Sequence, residues 1–314
     1  MEIIEHKGYG HPDSITDSVV ENCASELDKY YVEKYDRPLH YNIDKAVFLA
    51  GDINAGFGTF YIKKKPCFIL GGQVSEINDE VKSILTSSIR ATVEAVLPLL
   101  LDFDIEIRVG NVSRNLSNIA TNVVSNDTSF GVGYWPLSGA ENTVLNIRDA
   151  VNKMISDGVI PIGPDYKIMY TPNSISLSAP LYSTKVNSRD EYAEWKKKIE
   201  GVLSVFGKVV FNPDFDFGFP YLSVCGSSIE CGDDGQVGRG NRYNGLITPC
   251  KPMTIEAYCG KNNTNHVGKM YQKMATEKAK EVYEREKVYT EVIMVSKIGA
   301  PIDDYELYIS HPTI

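Results

Sequence analysis

Carboxylates, arginines and glycines crowd into one stretch of the chain, CGDDGQVGRGNRYNGLITP at residues 231–249. Asp233 and Asp234 stand between glycines, and Arg239 and Arg242 follow in a second glycine-rich segment. Polyphosphate binding needs these opposites together: carboxylates recruit Mg2+, while guanidinium groups and free backbone N–H groups meet phosphate oxygens. Each residue alone has a plainer reading, because Asp-Asp pairs and glycine turns are common on surfaces. Downstream, GKNNTNHVGK at 260–269 supplies Lys261, Asn265, His266 and Lys269 around two glycines. Lysines can neutralise a leaving polyphosphate, and Asn265 or His266 could bond its oxygens or a water. Lys269 could instead sit at the solvent-facing start of the last helix.

A second constellation opens the chain, GYGHPDSITD at residues 8–17. Gly8 and Gly10 permit sharp turns or a close ligand approach, and Pro12 suits a first helical turn. If the helix begins near Asp13, then Asp13 and Asp17 share a face and could share a divalent cation or its water shell. Capping the first turn is the competing task for both, and Ser14 with Asp17 matches a capping box. His11 is a donor or acid beside a helix N-terminus, where an anion would be met, although a solitary histidine is more often structural.

The third constellation is NDTSFGVGY at 126–134, with GPDYK at 163–167. Asp127 and Thr128 could hydrogen-bond a ribose or an amino acid while Gly131 and Gly133 let a loop approach it. Asp165 and Lys167 share a face if extended, so that one could bind an ammonium or sugar hydroxyl and the other a phosphate. Turn chemistry accounts for Asn126, Asp127, Gly163 and Pro164 about as well, and Lys167 could be an exposed strand charge. A charge-assisted hydrogen bond is worth about 1.5–3 kcal/mol and enzymatic rate enhancement takes roughly 8–23 kcal/mol. Several aligned groups are therefore needed. Neither G-x-x-x-x-G-K-[ST] nor G-x-G-x-x-G occurs, which argues against P-loop and simple Rossmann sites.

The elements that must position these residues follow from apolar spacing. Ile15, Val19, Cys23, Leu27 and Tyr30 make one helical stripe. Helices are predicted over Asp79 to Leu100, Leu145 to Ile155, Asp190 to Val205 and Val267 to Tyr283. Strands are predicted at Ala46 to Ala50, Cys67 to Leu70, Ile105 to Val109, Lys167 to Tyr170, Ile175 to Ala179, Val209 to Phe211, Tyr221 to Cys225 and Val288 to Ser296. Helices alternating with pairs of strands predict an α+β protein of repeated sheet-and-helix units, the helices covering one face of antiparallel or mixed sheets.

The 314 residues, with 43% apolar and 23% charged side chains, suit a soluble globular protein. The formal charge of -9 argues against a nucleic-acid partner. The six cysteines form no C-x-x-C pair or zinc-like cluster, so reduced thiols in a cytoplasmic protein are expected. MEIIEHKGYGHPDS lacks the pattern of a signal peptide, and no apolar run is long enough to span a membrane.

The stretches GHPDS, NDTSFGVGYWPLS, GPDYKIM, YLSVCGSSIECGDDGQVGRGNRYNGLITP, KPMTIEAYCGKNNTNHVGK and SKIGAPID together resemble the S-adenosylmethionine synthetases (methionine adenosyltransferases) of the archaeal-type branch. The resemblance implies an interleaved three-part fold with pseudo-threefold symmetry, here in approximate regions 1–125, 126–225 and 226–314. It implies a homodimer with active sites between subunits, or a tetramer built from two such dimers. The implied substrates are ATP and L-methionine, with Mg2+ required and K+ activating. By motif, His11 resembles the histidine near the ribose 5′ oxygen and Asp13 a magnesium ligand. Asp127 belongs to the substrate-binding DTSFG segment, and Asp165 and Lys167 resemble the acidic and basic pair near substrate and phosphate. Asp233, Arg239, Arg242 and Lys261 resemble the polyphosphate site, the division of roles between Asp233 and Asp234 staying open.

This sequence departs from the pattern in places. Cys231 stands where the family has histidine, Asn263 where it has proline, and Cys259 where it has serine. GDINAGFG is a less glycine-rich version of its segment, and the chain is short at both ends, so an incomplete last unit is expected. Two alternatives stay open on the sequence: a related adenosyltransferase or tripolyphosphatase with another substrate, and a noncatalytic partner subunit.

Overall fold

Apolar stripes spaced for helices and alternating residues spaced for strands resolve into three sheets, each with its own core. The computed structural model describes residues 2–113 and 124–312. The first sheet runs β13 (Gly235–Gln236), β2 (Tyr41–Leu49), β5 (Cys67–Val74), β6 (Asp104–Asn111). Helices α1 (Pro12–Tyr35) and α2 (Asp79–Val96) pack on it, burying Ile15, Val19, Leu27, Leu85 and Ile89 against Ile43, Phe48, Phe68 and Leu70. The second sheet runs β1 (Ile4–Lys7), β8 (Lys167–Thr171), β9 (Ser174–Ser178), β11 (Val209–Phe211). It shares a core with α3 (Gly139–Asp157) and α4 (Arg189–Leu203), in which Val144, Ile147 and Val151 meet Ile168, Leu177, Tyr192 and Phe211. The third, β15 (Glu306–Ser310), β14 (Thr290–Val295), β7 (Phe130–Trp135), is covered by α5 (Val267–Glu286) through Val267, Tyr271, Ala275, Val292 and Met294.

The first two sheets repeat one pattern. An antiparallel pair leads into a helix, and the helix returns to a parallel strand: β2 and β5, then α2, then β6; β8 and β9, then α4, then β11. The α+β class expected from the sequence is the observed one. The units share strands across the chain. β1 joins the second sheet from the N-terminus, β13 returns to the first, and β7, within the expected central region, pairs with β14 over Phe130 to Trp135.

Local expectations shift for identifiable reasons. The GDINAGFG segment and the lysines after it fold into a hairpin that is not among the expected strands, β3 (Asp52–Gly56) with β4 (Thr59–Lys64). The strand predicted over Tyr221 to Cys225 contracts to β12 (Leu222–Ser223), beside β10 (Leu181–Tyr182), because the buried Glu230 carboxylate accepts the N–H groups of Val224 and Cys225 at 2.7 Å each. The Ser14–Asp17 capping box does not form. His11 is the N-cap of α1, its ring accepting the Asp13 N–H, and Ser14 Oγ is buried without a hydrogen-bond partner. A capping box forms instead at Ser138 and Glu141, at the start of α3. Gly131 and Gly133 open no ligand loop. They lie in β7 pressed on α5, where an added Cβ would stand 2.2 Å from the backbone of Tyr271 or Thr276.

Candidate active site at the start of the first helix

β1 delivers Lys7 to the edge of the second sheet, opposite Lys167 in register. The chain then turns tightly over Gly8 and Gly10, whose N–H groups donate to Tyr166 O at 2.6 Å and Pro164 O at 3.0 Å. A Cβ on Gly8 would fall 2.5 Å from the Tyr166 ring and one on Gly10 2.6 Å from Pro164, so only glycine lets the helix start lie on the segment carrying Asp165 and Lys167. His11 follows, buried at 3% exposure. Its Nδ1 accepts from Asp13 N at 3.2 Å, which leaves the proton of a neutral ring on Nε2, 3.4 Å from Asp233 Oδ2. Burial is the main cause that lowers the His11 pKa to about 3, opposed by Asp13 and reinforced by Lys7 and Lys167. At neutral pH His11 is thus an uncharged donor aimed at Asp233.

The glycine-rich loop docks on the same helix end through carboxylates. Gln236 N donates to Asp13 Oδ1 at 2.8 Å, and Gly238 N donates to Asp17 Oδ1 at 2.8 Å. The approach is close enough that a Cβ on Gly235 would lie 2.3 Å from Pro12 O, and one on Gly240 2.1 Å from Asp17 Oδ2. Burial pushes the Asp17 carboxyl up to about 7, against the hydrogen bond from Gly238 and the charge of Arg242. Asp17 thus clamps the loop to the helix through the Gly238 N–H. Arg242 is half-buried, donates through Nη2 to Gly238 O at 2.7 Å, and keeps a buried Nε without a partner. Burial lowers its pKa while Asp17 opposes.

Asp233, Asp234 and Arg239 are exposed at the loop surface, and Asp234 Oδ1 accepts from Ala50 N at 2.7 Å. Burial first, then Asp13, raises the Asp233 pKa. Asp165 is the opposite case. Its Oδ2 accepts from Ser228 N at 2.7 Å and Ser228 Oγ at 2.6 Å, and burial pushes it up to about 6. Lys167 stays half-buried beside this group.

A cleft of about 560 Å³ continues from the loop, lined by Arg239, Gly238, Asp44, Lys45, Glu256 and Lys261. Lys261 is only 2% exposed and is held by Asp44 and, at 2.7 Å, by Glu256. His266 is buried beside it with its pKa lowered to about 3, chiefly by burial and then by Lys261, and its Nδ1 has no partner. Asn265 Oδ1 is likewise buried and unpartnered. Lys269 does not face solvent: it is buried, 2.5 Å from Glu21 and over the Tyr258 ring.

Asp127 and Thr128 do not join these groups. They are exposed, with Thr128 Oγ1 accepting from Ile298 N at 3.1 Å and Asp127 O accepting from Ser296 Oγ at 2.9 Å.

The S-adenosylmethionine synthetase (AdoMet synthetase) family profile matches residues 1–310. The chain belongs to that family. An S-adenosylmethionine synthase of Methanobrevibacter smithii is 36% identical, the alignment covering 96% of this chain and 83% of that protein. One of Haloquadratum walsbyi is 34% identical over 97% and 83%. An unusual S-adenosylmethionine synthetase from Campylobacter jejuni shares the fold with a TM-score of 0.68, over 98% of this chain and 80% of that one, at 14% identity.

Four charged residues of this synthetase chain escaped the sequence reading. Lys7 was signalled by its place directly before GYGH, and Glu21 by its spacing, since Asp13, Asp17 and Glu21 recur every four residues on α1. Asp44 and Glu256 carry no such mark. Their positions in NIDKAV and TIEAY look like ordinary strand and loop charges until the fold sets them on Lys261.

Proposed function

We propose that this S-adenosylmethionine synthetase transfers the adenosyl group of ATP to the sulfur of L-methionine and then cleaves the released triphosphate to phosphate and diphosphate. The observation that carries the assignment of the reacting site is the neutral His11 ring, its Nε2 donor aimed at Asp233 within a loop also bearing Arg239. Methionine sulfur is a neutral nucleophile and needs no general base. It bonds to C5′ as the C5′–O5′ bond breaks, so the barrier lies in separating charge between a sulfonium and a polyanion.

His11 donates a hydrogen bond to the charge growing at the 5′ oxygen, and its depressed pKa keeps it a donor that holds rather than transfers its proton. Arg239 and Lys167, at the open side of the cluster, meet phosphate oxygens. Asp165 and Ser228 fix the segment preceding Lys167, while Arg242 and Asp17 hold the loop in place.

The donor set suits Mg2+, which typically takes one or two carboxylates together with phosphate oxygens and water. Asp13 spends one acceptor position on each oxygen, and a carboxylate offers about four. Asp233 is 49% exposed. These two would hold the ion, which when bound supplies positive charge to the polyphosphate. Lys261 reaches a phosphate only by exchanging Glu256 for it, with Asn265, His266 and Lys269 shaping that wall. Among the described residues no cluster of three or more His, Cys, Asp or Glu side chains encloses an ion, and K+ is assigned no residue.

The homodimer with sites between subunits is supported by the exposed Asp127 and Thr128, which bond to Ser296 and Ile298 rather than to the charged groups of the cleft and which a partner would present to it. A tetramer built from two such dimers is the larger assembly of this kind. The acidic chain with free cysteines suits the cytoplasm, and no described helix is long and apolar enough to cross a membrane. Incubation with ATP, methionine, Mg2+ and K+, followed by mass spectrometry, tests the reading. The sulfonium product is expected, and a folded protein that yields none under any condition would refute it.

A further inference from the structure

Lys7 is a buried lysine at 7% exposure, and its ammonium sits between two parts of the site that come from opposite ends of the chain. Nζ donates to Asp13 Oδ2 at 2.7 Å and to Arg239 O at 2.8 Å, with Glu5 Oε1 at 3.6 Å. Its backbone is clamped separately. Lys7 N donates to Asn241 Oδ1 at 2.9 Å, and Asn241 Nδ2 donates to Lys7 O at 2.8 Å. The peptide groups and Asn241 therefore hold the loop to β1, and the loop would stay attached without the ammonium. The ammonium does something else: it fixes one oxygen of Asp13 and the carbonyl of the very residue whose guanidinium faces the cleft.

We infer that Lys7 is a positioning residue for the metal–polyphosphate site, acting through Asp13 on one side and Arg239 on the other; this rests on the reaction proposed above. A buried charge held at this spacing sets the distance between the carboxylate and the arginine, and so the distance between cation and phosphate contacts. It also offsets the Asp13 charge while occupying one acceptor position of Oδ2, so that the carboxylate keeps positions beyond those taken by Lys7 and Gln236.

The test measures binding, not turnover. Magnesium imidotriphosphate, which resists hydrolysis, is titrated calorimetrically into wild-type, K7M and K7R protein, and melting temperatures are recorded. K7M keeps the apolar stem of the side chain, one atom shorter, and both backbone bonds to Asn241, and is expected to lose at least tenfold in affinity while melting within a few degrees of wild type. K7R keeps the charge and donors and is expected to bind within threefold of wild type. K7M binding like wild type, or K7R losing as much as K7M, overturns the role. If K7M fails to fold, K7R decides alone: affinity within threefold of wild type supports the role and a tenfold loss overturns it. Failure of the parent reading looks different. Wild type would then form no sulfonium from ATP and methionine, while a Lys7-dependent affinity for the triphosphate analogue would still support the positioning role.

Discussion

Two regions of like composition meet along one cleft and use their charges in opposite ways. Around the start of α1, the Lys7–Asp13 pair is buried too, but the His11 donor points at Asp233, and Asp233 and Arg239 are open to water. Around the start of α5, Lys261 and Lys269 are sealed into pairs with Asp44, Glu256 and Glu21. Residue type does not separate the two; the supply of internal partners does. An open charge is ready for a ligand, whereas a buried pair admits one only by exchange. The comparison teaches that Lys261 is held by Asp44 and Glu256 and, on the proposed reaction, reaches a phosphate only once Glu256 yields.

The sharpest way to break this contrast is to remove the cation from the sealed pair. Lys261→Met strands two carboxylates and should cost about 3–5 kcal/mol of stability, read from denaturant unfolding. A loss below about 0.5 kcal/mol would put Lys261 with the exposed charges. On the open side the expected loss is in rate. His11→Ala should slow sulfonium formation about 10²–10³-fold and cost about 1 kcal/mol as a lost cap. His11→Asn, a good N-cap, should restore stability far more than rate.

Titration sharpens the contrast next, because the two regions carry opposite pH limbs. Asp17 rises from 3.8 to about 7, so the native state binds the extra proton and the stability it contributes, full below 3.8, is lost as pH climbs toward 7. His266 falls from 6.5 to about 3, so its contribution is present above 6.5 and lost as pH drops toward 3. Urea midpoints measured across that range should lose the first limb in Asp17→Asn and the second in His266→Asn. The smallest effect belongs to Arg239→Met, which should change stability by no more than about 0.5 kcal/mol while weakening triphosphate binding.

What could be read from the sequence was whatever is local. The helical stripe of α1, the alternation of β6 and the pairing of carboxylates with arginines at 233–242 depend on neighbours in the chain, and the ordered motifs gave the family. The site itself depends on distance. Asp13 meets Gln236 across 223 positions and Lys261 meets Asp44 across 217, and neither partner is implied by its surroundings in sequence. The same limit explains Gly131 and Gly133, whose glycines answer to the backbone of α5 and not to a ligand, and Glu230, which breaks a predicted strand by taking its N–H groups. Lys269 looked like a surface charge because nothing nearby in sequence announces Glu21.

The central claim is that the polyphosphate lies against the open cluster and recruits Lys261 by displacing Glu256. A crystal structure with Mg2+, an imido analogue of ATP and methionine tests it most directly. Phosphate oxygens should contact Arg239 and Lys167, with Asp13 and Asp233 on the metal, His11 Nε2 within hydrogen-bond distance of the 5′ oxygen, and Glu256 turned away from Lys261. A nucleotide bound elsewhere, or one bound here with the Lys261–Glu256 pair intact, would contradict the account.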